Sequence, residues 1–124
     1  MGRRWRDGAG KLIVPGSEGG GDPVTLPLEI AASYRARTRG LLGRDSIAGA
    51  MLLSPAGGVH TFGMRIPIDV AYLDRQLTVL AVRTMQPGRL GRPRLRARHV
   101  LEAEAGAMAG WGLQRGVRVT VEAG

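Results

Sequence analysis

A chain of 124 residues, 44% of them hydrophobic, is the size of one domain and can close one ordinary core. Its formal net charge of +8 comes almost wholly from Arg, with Lys11 the only lysine, and favours anionic partners such as nucleic acid, an acidic protein or a membrane surface. The lack of Cys excludes disulfides, thiolate metal sites and a Cys nucleophile, and no run of about 18 apolar residues is present to span a membrane, so no membrane insertion is expected.

Residues 1–22 mix Arg, Gly and isolated acids without helical or strand period and end in "GSEGGGDP". They are expected to be a disordered, basic, Gly-rich leader, with a single folded domain over 23–124. The apolar run Leu12 to Val14 is far short of a signal-peptide core, which places the chain in the cytoplasm.

"VTLPLEIAAS" reads as a first strand, with Pro27 confining it to a sheet edge or a bulge. In "SYRARTRGLLGR" the period changes: Ser33 can cap a short helix, Tyr34, Thr38, Leu41 and Leu42 share a face, and Gly40 and Gly43 end it. "GAMLLSP" is a brief strand stopped by Pro55, followed by strands over Val59 to Phe62 and Ile66 to Leu73. The turn "LDRQL" and the run "TVLAVRTM" make Ile66 to Val82 a hairpin.

After the loop "QPGRLGRP", "RLRARHVLEAEAG" is another strand, and "GAMAGWGLQRG" is a short helix closed by Gly116. "VRVTVE" alternates cleanly, with Val117, Val119 and Val121 inward and Arg118, Thr120 and Glu122 outward. The fold class is therefore mainly β with short helices (α+β), a small antiparallel sheet curled into a sandwich or partly open barrel. Met51, Met64, Met85 and Met108 read as core filling.

"RTRGLLGR", "GAMLL", "HTFGMRIPIDVAYLD", "VLEAEAG" and "GWGLQRGVRV", in this order, resemble domain-of-unknown-function family 192, a prokaryotic family of small single domains. The resemblance covers roughly Leu26 to Glu122. It implies a mainly β fold with short helices and no established activity, cofactor or substrate. Members usually carry Trp after Phe and a Gly-Asp before the last strand; here these positions hold Gly63 after Phe62, and Gly116-Val117.

Three constellations bear on function. The first is the turn 57–69, where His60, Arg65 and Asp69, joined by Arg39 and Arg44, are candidates for a polar recognition surface that takes a small polar ligand or an anionic chain segment. Asp69 lies in a strand apolar on both faces and needs donors, because an unpaired buried carboxylate costs several kcal/mol. The second is "GRPRLRARH": extended, it sets Arg92, Arg94, Arg96 and Arg98 on one face, a phosphate-tracking stripe suited to weak nucleic-acid binding. Aromatic residues are only 4% of the chain, so base-stacking platforms are scarce. The third pairs His60 as general base with Asp69 as its orienting carboxylate, the outline of a hydrolase-like enzyme.

No Ser or Thr sits in a recognisable nucleophile elbow, and His60, His99 and Asp69 lack a diagnostic metal spacing, so neither metal nor cofactor is expected. The leading reading is a non-catalytic binding or accessory module built on residues 57–69, with the nucleic-acid and hydrolase readings as alternatives.

Overall fold

In the stretch Ile68–Leu73 both alternating sets of side chains are buried: Ile68, Val70 and Tyr72 on one face, Asp69, Ala71 and Leu73 on the other. A strand buried on both faces must lie inside the sheet, and the computed structural model, which describes residues 5–16 and 21–124, places it there. The strands are β1 (Gly8–Val14), β2 (Val24–Ala31), β3 (Ala50–Leu53), β4 (Ile68–Leu73), β5 (Val79–Met85), β6 (His99–Glu104) and β7 (Thr120–Ala123), with the short helices α1 (Tyr34–Arg39) and α2 (Ala107–Gly110). They form a mixed sheet in the order β5-β4-β6-β3-β2-β1-β7. The edge strands approach one another through the bridge Thr78↔Arg118, so the sheet curls into a partly open barrel.

One buried cluster draws on every strand, including Leu12, Leu28, Leu52, Leu73, Val79, Leu101 and Val121, and takes in Met108 of α2. A second cluster on the opposite face gathers Met51, Leu53, Val70, Tyr72 and Val100 beneath Leu41 and Ile47 of the loops. Met51, Met85 and Met108 are buried and Met64 packs against the second cluster, as core-filling methionines should.

Several expectations are corrected. The leader is not disordered throughout: Gly8–Val14 is β1, paired with β2 and β7, and Leu12 and Val14 are fully buried. Residues 1–4 and 17–20 lie outside the described residues. Gly10 is what allows this, since a Cβ there would meet the backbone oxygen of Glu122 on β7. The sheet is also not wholly antiparallel: β2 and β3 are parallel because the chain between them crosses over through α1. Pro27 is not on an edge strand, yet the β3 pairing starts only at Leu28, so Pro27 has a ladder neighbour on the β1 side alone.

Ser33 caps α1, its side chain accepting from Ala36 N–H at 3.1 Å. The helix buries none of its own residues, so the expected apolar face fails: Tyr34 is exposed, and Leu41, buried, lies beyond the helix end. Val59 to Phe62 is not a strand and contributes only the bridge His60↔Leu90. "RLRARH" is not extended either, because Ala97 N–H donates to Arg94 O and turns the chain before β6 begins at His99. The hairpin β4–β5 and the inward placement of Val119 and Val121 agree with the alternation.

Candidate functional site

The hairpin turn after β4 carries Arg75, Gln76 and Leu77; β3 ends at Ser54-Pro55; Arg98 and His99 open β6, and Arg118 precedes β7. The curl of the sheet brings these ends together with Trp5 around a cavity of about 1160 Å³. Trp5 comes from the segment expected to be disordered. Asp7 anchors that segment, its Oδ1 accepting from the backbone N–H groups of Ala32 (2.6 Å) and Ser33 (2.8 Å). The Ser33 hydroxyl and the same two N–H groups hold the Asp7 carboxyl below its ordinary range.

At the floor, Ser54 Oγ lies 2.7 Å from His99 Nδ1, both side chains buried, and Trp5 meets the His99 ring edge-on with centroids 5.4 Å apart. Burial lowers the His99 pKa, against the raising influence of the Asp74 carboxylate and with the help of Arg98, so the imidazole is neutral at neutral pH. Arg75, Arg98 and Arg118 line the cavity, and no Asp or Glu is among its lining residues. Arg98 and Arg118 are steadied by backbone oxygens, Arg98 on Leu95 and Ala97 and Arg118 on Gln76, which leaves both guanidinium charges without a carboxylate partner among the described ion pairs.

The five residues expected to share a surface do not converge. Asp69 is buried: Oδ1 accepts from the Thr84 hydroxyl (2.7 Å) and Oδ2 from Gly106 N–H (2.9 Å) and Met108 N–H (3.1 Å). It therefore supplies the cap that Gly106, with no side chain, cannot give α2. Asp69 pairs in register with Ala103 and Leu73 with His99, so Asp69 and His99 lie at opposite ends of the β4–β6 ladder. His60 is exposed, stacked on Phe62 with Nδ1 accepting from Phe62 N–H at 3.3 Å; the base-and-carboxylate pair His60–Asp69 is not formed. Arg65 is exposed and reaches Asp45 at 3.3 Å. Arg39 and Arg44 do share a depression of about 370 Å³ with Gly40 and Met51, where Arg44 is bound to Glu29.

The Arg stripe is also broken up. Arg94 is half-buried with its guanidinium 4.9 Å above the Tyr72 ring, while Arg92 and Arg96 stay in solvent and Arg98 turns to the cavity. Among the described residues no cluster of His, Asp and Glu has metal-binding geometry.

Nothing in "HVLEAEAG" beyond its reading as a strand singles out Glu102, and a Glu in a strand is ordinarily solvated. Here it is buried: Glu102 is 1% exposed, Oε1 has no hydrogen-bond partner, and a Cβ on Gly40 would sit 3.3 Å from it. Burial pushes its carboxyl up to about 7.

The model of the family DUF192, described as "Uncharacterized ACR", matches residues 17–121. The chain belongs to DUF192. The five ordered motifs thus carried the family correctly, and DUF192 has no assigned activity. The domain is 31% identical over 84 residues to the UPF0127 protein PH1112 of Pyrococcus horikoshii, an alignment spanning 64% of this chain and 73% of that protein. Its fold is that of a Sinorhizobium meliloti 1021 protein described as a "putative transcription regulator" (TM-score 0.79, 19% identity, 96% of this chain and 98% of that one). It is likewise that of a protein of unknown function from Novosphingobium aromaticivorans (TM-score 0.73, 18% identity, 89% and 83%). At those identities the likeness speaks for the fold of this DUF192 domain alone. Among its described residues no helix is long and apolar enough to cross a membrane.

Proposed function

We propose that this DUF192 domain is a non-catalytic binding module, working in the cytoplasm, that holds a small anionic molecule in the cavity between Trp5, His99 and Arg118. The observation that carries this reading is the wall of three arginines, Arg75, Arg98 and Arg118, facing one concavity whose lining holds no carboxylate. Guanidinium forks match carboxylate and phosphate oxygens, and the low-dielectric wall beside them strengthens the attraction. Trp5, Leu77 and Val119 give the same cavity an apolar side for the body of the ligand. The neutral Ser54–His99 pair adds a hydrogen bond without adding charge.

The reading keeps the class expected from the sequence and moves the surface from residues 57–69 to the cavity. Calorimetric titration of the full chain with inorganic phosphate and with benzoate tests it. One of the two should bind saturably, and Arg98→Gln with Arg118→Gln should weaken it about tenfold or more, roughly the loss of one charge-assisted hydrogen bond pair. No saturable heat with either probe, or equal binding by the double variant, would remove the reading.

A second reading, hydrolysis with Ser54 as nucleophile and His99 as base, is favoured by the 2.7 Å contact between Ser54 Oγ and His99 Nδ1. Against it, the backbone N–H groups of Ser54 and Ala56 are committed to Ala31 O and Arg98 O, which leaves neither to stabilise an oxyanion. Labelling of Ser54 by a fluorophosphonate, abolished in His99→Ala, would put this reading first.

A further inference from the structure

Large apolar side chains stand in solvent on three neighbouring loops: Leu42 at 43% exposure, Phe62 at 51%, Leu90 at 74% and Leu95 at 97%. The loops are joined into one platform. Thr61 N–H donates to Arg89 O, Arg89 N–H to Thr61 Oγ1, and His60 bridges Leu90. Gly63 lies against Leu42, whose Cδ1 would be 2.9 Å from a Cβ added there. From Arg89 through Arg98 the chain carries five arginines without one acid, and the sequence between Arg83 and Glu102 contains no Asp or Glu. Arg89, Arg92 and Arg96 are exposed between and beside Leu90 and Leu95.

From this arrangement we infer that the 60–63 and 88–96 loops dock the protein on an anionic membrane surface, with Leu90, Leu95 and Phe62 entering the headgroup layer and Arg89, Arg92 and Arg96 on lipid phosphates. Two features choose the bilayer over other occupants. The apolar residues sit on loop segments and line neither cavity described above, whereas a partner helix or peptide is held in an apolar groove. Nucleic acid would use the arginines but leave the exposed leucines idle, and the single exposed aromatic among them, Phe62, is already stacked on His60. A bilayer uses both kinds of side chain: apolar insertion and electrostatic attraction act together at an anionic interface. The contact is peripheral and requires no membrane-spanning segment.

Co-sedimentation of the full chain with vesicles of phosphatidylcholine alone and of phosphatidylcholine with 30% phosphatidylglycerol tests this at low and physiological salt. Binding to the anionic vesicles is expected to exceed that to the neutral ones by tenfold or more. The double variant Leu90→Ser with Leu95→Ser, which leaves the net charge unchanged and alters only exposed positions, should lose at least fivefold. Arg89→Gln with Arg92→Gln should lose as much and flatten the salt dependence. Failure to bind anionic vesicles at low salt would overturn the inference. So would full binding by the leucine variant, or tighter binding to labelled RNA than to the vesicles with the leucine variant unaffected.

Discussion

Asp69 holds the start of α2 across the barrel floor: its Oδ2 accepts from the backbone N–H of Met108 at 3.1 Å while Met108 itself is fully buried in the cluster that all seven strands share. One carboxylate thus links the β4 strand to the helix that closes one end of the core, and the open cavity is left at the other end of the β4–β6 ladder.

Asp69→Asn should therefore be clearly destabilising. The amide keeps its oxygen for the Gly106 and Met108 N–H groups but turns an NH₂ to the Thr84 hydroxyl and gives up the charge that strengthens all three bonds, so about 1–3 kcal/mol is expected to be lost in denaturant titration. His60→Ala and Arg65→Ala, both at exposed positions, should each stay within about 1 kcal/mol of the parent. An Asp69 variant as stable as the parent would contradict the capping role.

The first strand gives a second test. Leu12 is fully buried between β2 and β7, so Leu12→Ala should cost roughly 2–5 kcal/mol, the range for a core Leu truncation. A chain beginning at Pro23 should lose cooperative unfolding. If that truncated chain melted like the parent, β1 would be a dispensable addition and the original expectation for residues 1–22 would stand.

Glu102 makes stability depend on pH in the direction opposite to a salt-bridged carboxylate. Its folded pKa, pushed up by burial to about 7, exceeds the ordinary 4.5, so between those values the folded state binds more protons than the unfolded state. Stability from this group is complete below the ordinary value and falls as pH rises toward 7, by on the order of 3 kcal/mol in all. Glu102→Gln should flatten that slope in denaturant titrations between pH 4.5 and 7.5. An unchanged slope would mean that another group sets it.

Local signals in the sequence specify the structure where neighbours in the chain decide it. The alternation in Ile66 to Leu73, the turn "LDRQL" and the run "TVLAVRTM" specify the hairpin that β4 and β5 form, and Ser33 caps α1 as its position suggests. β1 is not legible in the sequence because its two glycines, Gly8 and Gly10, argue against a strand locally. The reason for Gly10, the close approach of Glu122 O, exists only once β7 is in place. The same holds for the site. His60, Arg65 and Asp69 are near one another in sequence, yet alternation and a turn send them to solvent, to Asp45 and into the core. Trp5, Ser54, Arg75, His99 and Arg118 are spread along the chain, and only the curl of the sheet assembles them.

His99 reports on that assembly. Because burial holds its pKa below the ordinary 6.5, its ring protons should titrate by NMR below that value. The sign for stability follows: the neutral ring is favoured in the folded state, so stability is lost as pH falls from the ordinary value through the folded one. His99 titrating at or above the ordinary 6.5 would show the cavity floor to be open to water.

The most direct test of the binding site is a two-dimensional NMR titration of the full chain with phosphate and with benzoate at neutral pH, following the Trp5 indole N–H, the His99 ring and the Arg98 and Arg118 Nε–H groups. These signals are expected to shift together along one saturable curve while those of His60 and Arg65 stay in place. Shifts confined to His60 and Arg65, or no saturable shift with either anion, would contradict a ligand site at the cavity between Trp5, His99 and Arg118.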